Sequence, residues 1–204
     1  LGRSQKTQSL VVNVWGLTGG IASGKTTAGK FFSELGIPVV DADLISRKLS
    51  NPDGAAHAEI LKRFGTAQSE ELRKIIFENP LARKELEAIL HPHITRVSQE
   101  EFEHLARESG SPTVIYEATL LVETGRYKTL QGLIVVESPR EIRKQRLIAR
   151  NGFSPEMAEK IIGSQTTDEN RRKAATVVIE NSSSLDSLRG KVQQIALAQG
   201  WISS

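Results

Sequence analysis

Along the chain, short apolar runs rich in β-branched residues alternate with stretches whose apolar residues recur every three or four positions. The run Leu10-Val11-Val12-Asn13-Val14-Trp15-Gly16-Leu17 predicts a buried strand. A helical stretch from Lys25 to Leu35 follows, then a second short strand, Ile37-Pro38-Val39-Val40-Asp41, ended by Asp41-Ala42-Asp43. From Leu44 to Ser109 no strand pattern stands out. Helical patterns cover Ala55 to Phe64, Glu70 to Phe77, Leu81 to Leu90 and Pro92 to Glu108. Pro80 and Pro92 suit the first turns of two of these helices. Strands resume at Thr113–Glu117 and Gly132–Val136, and a fifth is expected at Thr176–Glu180. Helices are expected at Pro139 to Arg150, Pro155 to Gly163, Ser164 to Ala175 and Leu185 to Gln199. Strands apolar on both faces and joined through helices predict a parallel sheet with helices on each side. There is no internal repeat or low-complexity tract, and Ser182-Ser183-Ser184 reads as a turn and helix N-cap.

Composition narrows the class. With 204 residues, 38% hydrophobic and 25% charged, the chain can bury one α/β core with a helical insertion. Its net charge is only +3, aromatics are 5%, and the basic residues are spread out, which argues against nucleic acid as the principal partner. No apolar run reaches the length of a membrane span, and no signal segment is read at the start. The polar opening from Leu1 to Ser9 reads as a frayed end. Absence of cysteine excludes disulfides and thiolate metal sites and is compatible with a reducing cytosol. The expectation is a cytoplasmic protein, a monomer or small homo-oligomer, with no membrane partner.

The decisive chemistry lies in Gly19-Gly20-Ile21-Ala22-Ser23-Gly24-Lys25-Thr26, followed by Thr27. It fits Gly-x4-Gly-Lys-[Ser/Thr], the phosphate-binding P-loop, and it sits between a strand and a helix as that motif requires. Glycines let the backbone curl so that N–H groups face phosphate oxygens, and the helix that opens at Lys25 adds its positive end. Lys25 then reaches the β- and γ-phosphates, and the Thr26 hydroxyl is placed to ligate Mg2+. A Gly-rich turn before a helix is the plain alternative; the flanking elements weigh against it.

Asp41 and Asp43 stand at the end of the second strand, where a carboxylate can accept a hydroxyl proton or hold Mg2+ through water. Either could instead cap the next helix. Their i, i+2 spacing in extended chain puts both on one side, which favours chemistry. Glu117 ends the third strand, where P-loop proteins place a Mg2+-organising carboxylate. Arg143, Arg146 and Arg150 share a helix face and could close over a γ-phosphate; a solvated face is the alternative. His91 and His93 flank Pro92 without further ligands nearby, so no zinc site is expected.

Together these residues resemble one family, dephospho-coenzyme A kinase. Gly16 to Thr26 resembles its P-loop, Val40-Asp41-Ala42-Asp43 with Arg47 its Asp-x-Asp segment, and Ile89-Leu90-His91-Pro92-His93-Ile94 its His-Pro motif. Leu120-Leu121-Val122-Glu123-Thr124-Gly125 resembles its Leu-Leu-x-Glu stretch, Arg146-x3-Arg150-Asn151-Gly152 with Gln165 its lid, and Val178-Ile179-Glu180-Asn181 its last strand and adenine-side loop. The resemblance implies a P-loop NTPase fold: a three-layer α/β/α core with a five-stranded parallel sheet, formed by residues 10–50, 110–142 and 174–204. A helical acceptor-binding insertion would span 51–109 and a lid 143–173. It also implies transfer of the ATP γ-phosphoryl to the ribose 3′-hydroxyl of dephospho-CoA, with ATP as donor and Mg2+ as cofactor. Asp43 would be the base, assisted by Lys25 and Arg146. ATP would be held by Gly19 to Thr27, Arg146, Arg150 and Asn181. The acceptor would meet Asp41, Asp43, Arg47, His91, Glu117 and Leu120, and Mg2+ would sit on Thr26, with Asp41 or Glu117 reaching it through water.

Three departures accompany the match. Thr119 and Thr176 stand where the family favours Pro and Asp, and the segment from Phe64-Gly65 to Leu72-Arg73 is shorter than usual. Intact mass decides whether the protein itself is shorter there. The nearest rival is another small-molecule P-loop kinase, of the nucleoside monophosphate or shikimate type. A small GTPase would need an Asn-Lys-x-Asp motif, which the chain lacks.

Overall fold

The computed structural model describes residues 11–203, and of residues 77 and 78 the backbone only. Leu10, placed in the first strand, and the opening segment before it lie outside the described residues. Five strands, β1 (Asn13–Gly19), β2 (Val39–Asp41), β3 (Thr113–Glu117), β4 (Gly132–Glu137) and β5 (Val177–Glu180), take the order β2-β3-β1-β4-β5. β1 runs parallel to both β3 and β4, and β4 runs parallel to β5. The expected parallel sheet is present. The connection from β3 to β4 jumps over β1, so the carboxyl end of β1 is a switch point, where open α/β sheets receive ligands. Register sets Leu17 opposite both Glu117 and Ile134.

Among the described residues, one compact unit comprises 11–39 together with 102–203; the other is Val40–Glu101. In the first, α1 (Lys25–Glu34) and α9 (Leu185–Ala198) cover one face of the sheet. Ala28, Phe31 and Phe32 of α1 and Leu188, Val192 and Ala196 of α9 recur at helical spacing and pack on Leu17, Ile115, Ile134, Val136 and Ile179. Trp201 closes this layer, edge-on to Trp15 at 5.0 Å between ring centroids. On the opposite face, Tyr116 meets Phe102 edge-on at 5.3 Å. α6 (Arg140–Asn151), α7 (Pro155–Gly163) and α8 (Asp168–Ala174) lie between β4 and β5 in the chain. Ser154 and Thr167 cap α7 and α8 through bonds from the Met157 and Asn170 amides. Thr176 extends the pairing before β5: its amide donates to the Leu133 carbonyl at 2.8 Å, and its hydroxyl accepts from the Leu133 amide at 3.0 Å.

In the second unit, α2 (Ala42–Ser50), α3 (His57–Phe64) and α4 (Ser69–Glu78) lead into α5 (Pro80–Ser109), which belongs to it as far as Glu101. α3 stops at Gly65, whose φ is +73°, and residues 66–68 join it to α4. Two expectations change. The helices expected on either side of His91 are one 30-residue helix with Pro92 inside it. Pro92 removes one backbone donor, but the buried stripe Leu86, Leu90, Ser98, Phe102 keeps a four-residue phase through it, so the helix continues. The second change is α2, which begins directly after Asp41.

Candidate active site

The loop between β1 and α1 folds into a tight anion cradle. Gly24 takes a left-handed conformation, with φ 97°, and Ala22 is the one non-glycine residue with positive φ, at 60°, among the described residues. The Ser23 amide donates to the Gly20 carbonyl at 3.0 Å, which closes the turn. Inside it, the buried Ser23 hydroxyl has no hydrogen-bond partner among the described residues. Such an orphaned group in a curl of backbone fits a loop shaped to hold an anion.

Glu117 faces this loop from the end of β3, 3% exposed. Its Oε1 accepts from Lys25 Nζ at 2.9 Å and from the Thr26 hydroxyl at 2.7 Å. The lysine and threonine of the motif thus converge on one carboxylate oxygen. Gly29, one turn into α1, permits this approach, since a Cβ there would stand 2.5 Å from Glu117 Oε2. Thr27 follows half-buried in the same turn.

Arg146 and Asn181 brace the loop from its other side. Arg146 Nη1 donates to the Ala22 carbonyl at 3.1 Å, with the Ser23 carbonyl at 3.4 Å and the Ser138 hydroxyl at 3.3 Å. Asn181 Nδ2 donates to the Ser23 carbonyl at 2.7 Å and occupies the space a side chain on Gly24 would need. Arg150, by contrast, is exposed and turns its Nε to Asn151 Oδ1 at 2.9 Å. Arg143 is buried, 3% exposed, although it shares their helix face; it meets α8 rather than solvent. The three arginines therefore do three different things. Burial pushes the Arg143 guanidinium below its ordinary pKa; Asp168 opposes this, and the charges of Arg171 and Arg140 add to it.

Several contacts were not readable from spacing. The Ile21 amide donates to Gln165 Oε1 at 2.8 Å, and Arg171 and Asp168 join Arg143 beside Gly20. Gln165 and Glu123 carried a signal only as parts of motif matches; Arg171 and Asp168 carried only the i, i+3 spacing of an ordinary helical ion pair. Leu120, half-buried after β3, uses its carbonyl to accept from Thr124, by its amide at 3.0 Å and its hydroxyl at 2.7 Å.

In the second unit, Asp41 is the N-cap of α2, its Oδ1 accepting from the Leu44 amide at 2.9 Å. Asp43 lies in the first turn, exposed, with Arg47 one turn further on. The extended-chain argument for the pair therefore fails: the chain turns helical after Asp41, so the two carboxylates do not share a side as they would in a strand. His91 is exposed on α5, while His93 pairs with Glu59 at 3.1 Å.

The model for dephospho-CoA kinase matches residues 13–187. The chain belongs to the dephospho-CoA kinase family. Dephospho-CoA kinase of Thiobacillus denitrificans is 40% identical over 189 residues, covering 88% of this chain and 92% of that one. The Escherichia coli enzyme is 36% identical over 187 residues, covering 88% and 89%. Among solved structures, a Thermus thermophilus protein superposes with a TM-score of 0.80 at 30% identity, over 94% of this chain and 99% of its own. Dephospho-CoA kinase from Campylobacter jejuni gives 0.66 at 27% identity, over 93% and 99%. Shikimate kinase from Acinetobacter baumannii gives 0.54 at 19% identity over 94% and 95%, a likeness of fold alone. Family membership makes this chain a P-loop kinase with ATP as donor. No helix among the described residues is long and apolar enough to cross a membrane.

Proposed function

We propose that this protein transfers the γ-phosphoryl group of ATP to the ribose 3′-hydroxyl of dephospho-CoA, giving CoA and ADP. The observation that carries the reading is the convergence of Lys25 and Thr26 on Glu117 beneath an anion cradle, in a chain of this family. The 3′-oxygen attacks the γ-phosphorus, the bond to the bridging oxygen of ADP breaks, and Asp43 takes the hydroxyl proton. Lys25 exchanges Glu117 for the β- and γ-phosphates and offsets charge on the transferring group. Amides of the loop from Gly19 to Thr27 orient the triphosphate, and Arg146 and Asn181 keep that loop in shape from behind.

The oxygens of Thr26 and Glu117, 2.7 Å apart, are hard donors of the kind Mg2+ takes, so these residues fit the ion. Bound there, it would neutralise charge on the β- and γ-phosphates. Asp41, occupied as a helix cap, serves the site by setting where α2 and Asp43 begin. Residues 143–173 act as the lid and 51–109 as the acceptor-binding insertion, with Arg47, His91 and Leu120 toward the acceptor and Arg150 toward ATP. A cytoplasmic monomer or small homo-oligomer is the setting we infer.

The test is ADP production with Mg-ATP and, as acceptors, dephospho-CoA, AMP, adenosine or shikimate. Turnover confined to dephospho-CoA, with CoA identified by mass, is expected. Turnover with another acceptor instead would keep the kinase core and reject the acceptor.

A further inference from the structure

Beside Gly20 the protein buries two positive charges. Arg143 reaches it from α6 and Arg171 from α8, and they are 3% and 1% exposed. A Cβ on Gly20 would run into the Arg143 guanidinium and stand 3.3 Å from Arg171 Nη1. Two guanidinium groups this close repel each other and lose hydration, so something must hold them.

That group is Asp168. It reaches in from the surface, with Oδ2 at 2.6 Å from Arg143 Nη2 and Oδ1 at 2.9 Å from Arg171 Nη1. Each carboxylate oxygen takes one arginine. Glu123 Oε1 lies 3.6 Å from Arg171 Nη2, within ion-pair range but beyond a hydrogen bond. Three buried donors have no acceptor among the described residues: Arg143 Nε, Arg171 Nε and Arg171 Nη2. Buried guanidinium donors left unmatched at the rim of a phosphate loop can meet the oxygens of an anion. The same stretch touches the loop at the next residue, where Gln165 Oε1 accepts from the Ile21 amide.

We propose that Asp168 is a positioning residue for phosphoryl transfer: its carboxylate fixes Arg143 and Arg171 side by side against Gly20, aligned for the triphosphate. This rests on the kinase reading above and adds to it a residue that acts through two others. Arg143 owes its place to Asp168, and Arg171 keeps its orientation only while both partners are present. Asp168 itself does not touch the nucleotide.

The test compares Asp168→Asn, Asp168→Glu, Arg143→Gln and the double variant Asp168→Asn with Arg143→Gln, in the full chain. Turnover, KM for ATP and dephospho-CoA, ATP affinity by calorimetry and thermal midpoint are read together. Asp168→Asn is expected to cut kcat roughly 10- to 100-fold, with the KM for dephospho-CoA unchanged. Asp168→Glu recovers a large part of that loss, because the charge returns. The double variant is no slower than the worse single one, as for residues acting as a unit. Unchanged kcat in Asp168→Asn overturns the proposal. So does a loss that tracks a lowered thermal midpoint and that Asp168→Glu does not rescue, since that marks a merely structural bridge. A wild-type chain inactive with every acceptor overturns the functional reading and this proposal together. A wild-type chain active beside an unaffected Asn variant overturns only this one.

Discussion

Glu117 ties the lysine and the threonine of the loop to one oxygen, and its other oxygen presses toward Gly29. Within a helix, alanine normally outlasts glycine by about 0.5–1 kcal/mol. At position 29 the added methyl would push Glu117 away, and with it the geometry of Lys25 and Thr26. Gly29→Ala is therefore expected to lower kcat roughly 10- to 100-fold without the usual gain in thermal midpoint, read by steady-state kinetics and melting. The two aspartates separate by the same kind of reasoning. Asp41 spends its carboxylate on the Leu44 amide, and asparagine caps a helix about as well, so Asp41→Asn should change turnover little. Asp43→Asn removes the proposed proton acceptor and should cut kcat by about 10^2- to 10^4-fold while ATP affinity, measured by calorimetry, holds. If Asp41→Asn proves the slower enzyme, the two roles are exchanged.

Elements whose causes are local were the ones readable in advance. The P-loop, α1 and the strands follow from runs of a few residues, and so does α9, opened by the serine run: Ser184 Oγ accepts from the Ser187 amide at 3.2 Å. Ser184→Ala should cost about 1 kcal/mol and lower the thermal midpoint by about 2–4 °C, with kcat and KM unchanged, since α9 contributes core rather than chemistry. Where the sequence misled, a local rule met a longer-range one. Pro92 looked like a helix start, yet the stripe from Leu86 to Phe102 carries the helix past it. Asp41-Ala42-Asp43 looked extended, yet the capping bond to Leu44 starts α2 at once. The site divides along the same line. The placement of Lys25, Thr26 and Glu117 could be read from strand and motif positions. The Gln165 bond to Ile21, the Asn181 bond to Ser23 and the Arg143 half of the Asp168 clamp join residues far apart in the chain, and no periodicity reports such contacts; the Arg171 half is an i, i+3 pair on one helix.

At the scale of the molecule, the phosphate loop and every group bracing it belong to the unit formed by the chain up to Val39 and from Phe102 onward. Asp43, Arg47 and His91 belong to the other unit, Val40–Glu101. A ligand stabilises what binds it, by about 2.7 kcal/mol at a concentration one hundred times its Kd. For a chain of this size that corresponds to a rise in melting midpoint of about 5–11 °C. Mg-ATP alone should therefore raise the transition of the unit that carries the P-loop, whether or not dephospho-CoA is present. If the two units melt separately, only one transition should move; if they melt as one, the whole curve shifts. Lys25→Ala removes the cation that meets the β- and γ-phosphates, so its midpoint should respond to ATP far less than that of the wild type, each shift being read against the variant's own ligand-free midpoint, which loss of the buried Lys25–Glu117 pair lowers. Differential scanning calorimetry with and without Mg-ATP separates these cases. An undiminished shift in Lys25→Ala would mean that ATP is held elsewhere, and the cradle at Gly19 to Thr26 would lose its assignment.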